Sequence, residues 1–147
     1  FYQSFSVTFD ADVYSDYYNE QARVFAHMYL RRGDGPWELY FTTDAFDIVD
    51  DSSEDKYEVM TNLDVGFRAD DYDVLIDLYE LGYRDVVASA SSADLEALYA
   101  LPLESADRDI YYPDEPSVRV SAGGVSVYTL GILIGAIVFR LKGRSKR

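Results

Sequence analysis

From Phe1 to Phe9 the chain alternates: Phe1, Phe5, Val7 and Phe9 fall on one side, and Tyr2, Ser4, Ser6 and Thr8 on the other. Successive side chains of a strand point to opposite faces, so this spacing predicts a half-buried strand. Asp10–Asn19 is polar and acidic and reads as a loop. Ala22–Leu30 alternates again, with Val24, Ala26, Met28 and Leu30 on one face. The turn Arg32–Pro36 follows, in which Asp34-Gly35 supplies hairpin chemistry, and Trp37, Leu39 and Phe41 then predict the inward face of a third strand. Ala45–Val49 either extends that strand or makes a short helical turn.

The same period returns after the acidic loop Asp50–Asp55. Tyr57, Val59, Thr61 and Leu63 predict a fourth strand, and Tyr72, Val74, Ile76 and Leu78 a fifth, with Asp73 and Asp77 outward. Gly82 breaks that run, and Arg84–Ala90 returns as a sixth strand. Strands at this spacing, rich in Tyr, Phe and Val, predict an all-β protein, an antiparallel β-sandwich of about six to eight strands. Ser92–Tyr99, with Leu95, Leu98 and Tyr99 at helical spacing, predicts one short helix ended by Pro102. Beyond Glu104 the apolar pattern fades. Asp107, Asp109, Pro113, Asp114, Glu115 and Pro116 read as an extended tether.

The last stretch has no period. Val125–Phe139 contains no charged residue, follows Gly123-Gly124, and ends in Arg140, Lys142, Arg144, Lys146 and Arg147. As a helix of about 1.5 Å per residue, Val125–Phe139 spans about 22 Å and Gly123–Leu141 about 28 Å, against a hydrocarbon core of about 30 Å. A single C-terminal transmembrane helix is the expectation. The competing one is a buried core helix with a solvated basic end. The division is then 1–104 for the sandwich, 105–122 for the tether and 123–147 for the membrane segment with its basic end.

Charge sharpens this. The net charge is −14, but none of the 27 acids lies after Glu115 and five of the 13 bases lie after Phe139. The part before Val125 holds eight bases against 27 acids and carries −19, and the tail carries +5. Basic flanks stay on the cytoplasmic side of a membrane segment, which places the acidic body outside. Such a body repels phosphate backbones, which argues against nucleic acid as a partner. The absence of cysteine fits an exported bacterial protein without a disulfide framework. The chain opens at Phe1 with no leader in view, which we read as a processed form or a fragment.

Two pieces resemble known families. Gly123-Gly124, the apolar run and the basic cluster resemble the GlyGly-CTERM sorting signal of Gram-negative bacteria, with Tyr128 and Thr129 interrupting an otherwise plain run. That resemblance implies export, transient insertion in the inner membrane with the body in the periplasm, and processing near Gly123 and Gly124. The processing would fall to a rhombosortase-type intramembrane protease, with final display on the cell surface or outer membrane. Phe9–Val13, Ala26–Leu30, Gly35–Asp44, Asp51–Val59, Tyr72–Glu80 and Leu101–Glu104 resemble the choice-of-anchor H family. It is defined by a shared body with varying anchoring tails, and it brings no enzymatic activity. The expected role is a non-enzymatic, surface-anchored display or adhesion module.

The alternative is a calcium- or carbohydrate-binding surface module. Asp10, Asp12 and Asp16, in the spacing Asp10-x-Asp12-x-x-x-Asp16, with Asp44 and Asp47, are weak Ca²⁺ candidates. The hard cation takes loop carboxylates, but the glycine and terminal Glu of an EF-hand are missing. A solvated acidic surface explains them as well. Trp37, Tyr40 and Tyr79 are candidates for an aromatic sugar platform, although the alternation of Trp37 with Leu39 and Phe41 places it in the core. His27 is the only histidine, so no zinc site can be completed from His and Cys, and a Ser-His-Asp set would have to use it without any Gly-x-Ser-x-Gly elbow. Paired carboxylates are the other route to chemistry, as in glycoside hydrolysis. Arg32-Gly33-Asp34 spells an adhesion tripeptide but is explained by turn chemistry.

Overall fold

The computed structural model describes residues 1–14, 21–49, 56–107, 116–122 and 130–140. Ten strands lie among them: β1 (Ser4–Tyr14), β2 (Gln21–Arg32), β3 (Glu38–Thr42), β4 (Phe46–Val49), β5 (Tyr57–Val65), β6 (Asp70–Glu80), β7 (Val86–Ser91), β8 (Leu101–Leu103), β9 (Ser117–Ala122) and β10 (Leu130–Arg140). The fold is all-β, as the alternation predicts. The helix expected over Ser92–Tyr99 shrinks to a 3-10 turn, Glu96–Leu98, whose buried member is Leu98.

One sheet has the order β10-β1-β5-β9 and the other β3-β2-β6-β7. In the second, β4 continues the β3 edge of β2, and β8 continues the β7 edge of β6. The two sheets enclose one core. β1 contributes Phe5, Val7, Phe9, Ala11 and Val13, each at most 2% exposed; β2 contributes Val24, Ala26 and Met28, and β6 Val74, Ile76 and Leu78, all at 0%. At about 25 cal/mol per Å² of apolar surface, each large side chain buried here contributes about 1.5–3 kcal/mol. Aromatic rings join the sheets: Phe5 meets Tyr40 at 5.9 Å, and Phe46 meets Phe9 at 5.9 Å and Tyr57 at 4.4 Å.

β1 runs through Asp10 and Asp12 to Tyr14, so the loop expected from Asp10 begins later. The third strand departs further. Met28 pairs with Phe41 and Tyr29 with Leu39, so β3 carries an extra residue at Tyr40. That bulge turns both Tyr40 and Phe41 toward the core and sends Leu39 out, where it is 53% exposed. Trp37, expected in the core, instead lies under the Arg31 guanidinium at 4.3 Å. After β3, Thr43 is buried and fixes the step to β4: its N–H donates to the Ala26 carbonyl and its Oγ1 accepts from the Ala26 N–H, both at 2.9 Å.

Ser117–Ala122, read as tether, is β9 on the far edge of β5, with Val118 and Val120 packed against the core and Arg119 held by Asp64 at 2.9 Å. The C-terminal run differs most from expectation. Leu130–Arg140 is a strand, paired with β1 in the one parallel ladder among the described residues. Leu130, Ile132 and Ile134 stand opposite Phe5, Val7 and Phe9; after a register shift, Ile137 and Phe139 stand opposite Ala11 and Val13. A strand covered on both faces reads as a continuous apolar run, as a membrane helix does, and periodicity cannot separate the two. No helix of the described residues is long and apolar enough to cross a membrane.

Candidate ligand-binding face

β2 and β6 pair in antiparallel register: Phe25 with Tyr79, His27 with Asp77, Tyr29 with Leu75, Arg31 with Asp73. Because the even positions of both strands fill the core, these residues all look away from it. In most sheets such a face is simply polar. Here it carries four rings. Phe25 and Tyr79 stack with centroids 5.4 Å apart and planes within 12°. The His27 ring lies 4.7 Å from Tyr79, 5.5 Å from Phe25 and 6.3 Å from Tyr29. The Tyr29 hydroxyl is 3.4 Å from His27 Nδ1. Burial, then the neighbouring Tyr79 and the Asp77 charge, push the Tyr29 phenol above its ordinary pKa.

Asp77 lies beside these rings, half-buried, and accepts a 2.7 Å hydrogen bond from Ser89 on β7. The row therefore runs Ser89, Asp77, His27 across three strands. A nucleophilic set needs the imidazole between hydroxyl and carboxylate, and here the carboxylate occupies that middle place. The row therefore lacks the order of a nucleophilic set. Ion pairs bound the face at both ends. Arg23 meets Asp47 at 3.3 Å, and Arg31 donates to Asp73 at 2.8 Å while Trp37 lies against it. Burial alone would raise the Asp73 pKa. The Arg31 hydrogen bond and charge, the Ala100 N–H at 3.0 Å and Ser92 outweigh it and hold the carboxyl below its ordinary value.

Of the proposed sugar platform, Trp37 and Tyr79 reach the outer face, but Tyr40 does not. Its ring is packed against the core, its hydroxyl meets Met28 Sδ at 3.9 Å, and burial pushes its phenol well above the ordinary range. The calcium candidates are scattered. Asp10 and Asp12 lie on β1, Asp47 on β4 pairs with Arg23, Asp44 lies between β3 and β4, and Asp16 lies outside the described residues. Among the described residues no three of His, Cys, Asp and Glu come close enough to hold a metal. Gly123, Gly124, Lys142, Arg144, Lys146 and Arg147 also lie outside the described residues, and Arg140 ends β10.

The Arg32–Asp34 turn borders a cleft of about 230 Å³, lined by Arg32, Glu38, Phe67, Tyr72 and Pro116 among others. The positive φ of this turn, +53°, falls at Gly33 rather than at Gly35. Sequence reasoning missed Phe25 and Tyr29 altogether. The signal was available: the positions between Val24, Ala26, Met28 and Leu30 should be polar on a solvated face, and three of them are rings. No family model matches the chain, and neither the curated proteins nor the solved structures contain a match to it.

Proposed function

We propose that this chain is a non-enzymatic, exported display module, held at a membrane by residues 123–147 with its acidic body outside. One observation carries the reading: an uncharged run divides a body of −19 from an end of +5. In this account Leu130–Arg140 leaves β1, and Val125–Phe139 becomes a membrane-spanning helix once lipid is present. Apolar on both faces, the run can be covered by sheet or by hydrocarbon, and a helix satisfies its backbone in lipid where an edge strand cannot. Gly123 and Gly124 weaken the helix start and leave extended backbone open to an intramembrane protease of the rhombosortase type, which would pass the body to the cell surface or outer membrane. The test is mass spectrometry of the protein released from exporting Gram-negative cells. We expect a chain ending near Gly124 in the wild type and an unprocessed chain in the Gly123→Leu, Gly124→Leu double variant. Normal maturation of that variant would refute the processing step. A second reading, a carbohydrate-binding module, is favoured by the outward placement of Trp37 and Tyr79.

A further inference from the structure

We propose that the outer face of β2 and β6 docks a basic segment of a partner protein, with an arginine or lysine head group against Tyr79, Tyr29 and the Asp77 carboxylate. The proposal concerns the body alone and holds whether the C-terminal run sits in lipid or in the sheet. Asp77 differs from Asp73 and Asp47 on this face. Asp73 has Arg31 and Asp47 has Arg23, whereas Asp77 has only the Ser89 hydroxyl, with no Lys or Arg paired to it among the described residues. No hydrogen bond joins it to His27 across the strand, and His27 turns to Tyr29. Around this carboxylate stand rings whose faces are electronegative, the environment that attracts ammonium and guanidinium groups. A chain carrying −19 ahead of its tail draws cations and repels anions at distance, so the long-range field and the local site favour the same sign.

The size of the surface selects a protein over a free small cation. Leu39, paired with Tyr29, and Val86, paired with Tyr79, extend the apolar strip across the sheet and are 53% and 45% exposed. An apolar centre with aromatic anchors and a seat for arginine has the composition of a protein interface.

The test titrates a fluorescein-labelled hexa-arginine peptide against the full chain in neutral detergent at physiological salt. There the screening length of about 8 Å removes most of the diffuse attraction. The account expects Asp77→Asn, which keeps a partner for Ser89, and Tyr79→Ala each to weaken binding about tenfold. Asp34→Asn, in the β2–β3 turn, should bind as the wild type does. Because His27 is the only histidine, its ring proton signals report the site in the unmutated protein and should move on titration. Equal weakening by Asp77→Asn and Asp34→Asn, or an unmoved His27 signal, overturns the proposal. So does a His27 shift produced by neutral cellohexaose and not by the peptide, which would make the face a glycan platform.

Discussion

β2 and β6 on one side, and the run Val125–Phe139 on the other, are all rich in apolar residues, but β2 and β6 interleave them with charges and the run has none, and the two regions constrain the chain very differently. In β2 and β6 every second residue is buried, so slipping by one place would turn Val24, Met28, Val74 and Ile76 into water. Alternation fixes both the element and its face. The C-terminal run has no charged positions and no alternation of polar and apolar ones to lose. Leu130–Arg140 pairs with β1 as a strand, yet the same composition also suits a helix in hydrocarbon, and periodicity does not choose between them. The contrast teaches that patterning, rather than hydrophobicity, ties a segment to one environment.

The sharpest way to break the comparison is to place one charge in each region. Ile76→Asp puts an unpaired carboxylate at a fully buried position, and we expect it to unfold the body, a loss above about 4 kcal/mol seen as no cooperative melt. Leu133→Asp should release the protein from membranes on fractionation and leave the body's melting transition within a few degrees of the wild type. If Leu133→Asp also destroys the transition, the run is an obligatory strand and the comparison fails.

Next in size is Asp73, which ties β2, β6 and the residue Ala100 together. Asp73→Asn should cost about 2 kcal/mol in denaturant titration, the scale of hydrogen bonds to a charged group. Its folded pKa is depressed, so its contribution is complete above the unfolded value near 3.9 and fades as pH falls through the lower folded value. The wild type should lose stability on acidification in that window, and Asp73→Asn should lose less. Identical acid profiles would remove the ion pair from the account.

The glycine turns give a smaller, graded effect. Gly66 has φ +87°, and an added Cβ would come within 2.9 Å of the Pro116 backbone, while Gly82, at φ +90°, has open space around it. Gly66→Ala should therefore cost about 1–3 kcal/mol more than Gly82→Ala, because the clash adds to the shared backbone penalty. Equal losses would mean that Pro116 does not pack there. Smallest is Ala100, at φ 53° without being glycine: Ala100→Gly should raise stability by about 1 kcal/mol or less, read from the denaturation midpoint.

Legibility in the sequence follows the same division. The inward faces of β1, β2, β5 and β6 were readable because polar residues mark the other side. The third strand was not, since one extra residue at Tyr40 reverses the sides of Trp37 and Leu39, and a bulge leaves no compositional trace. β9 was hidden by its setting: Val118 and Val120 alternate, but too briefly to stand out beside an acidic, proline-containing stretch. The ring cluster was half legible. Tyr79 was named as a candidate for a sugar platform, but its stacking on Phe25 and contact with His27 depend on a β2–β6 register that no local pattern encodes.

The central claim is that the C-terminal run crosses a membrane with the body outside. The chain has no cysteine, so single engineered ones report topology cleanly. In intact spheroplasts of an exporting Gram-negative host, with processing blocked by the double leucine variant, a membrane-impermeant maleimide should label Ser92→Cys at once. Ser145→Cys should label only after permeabilisation. Equal labelling of both positions, or recovery of the chain in the soluble fraction, would contradict the account.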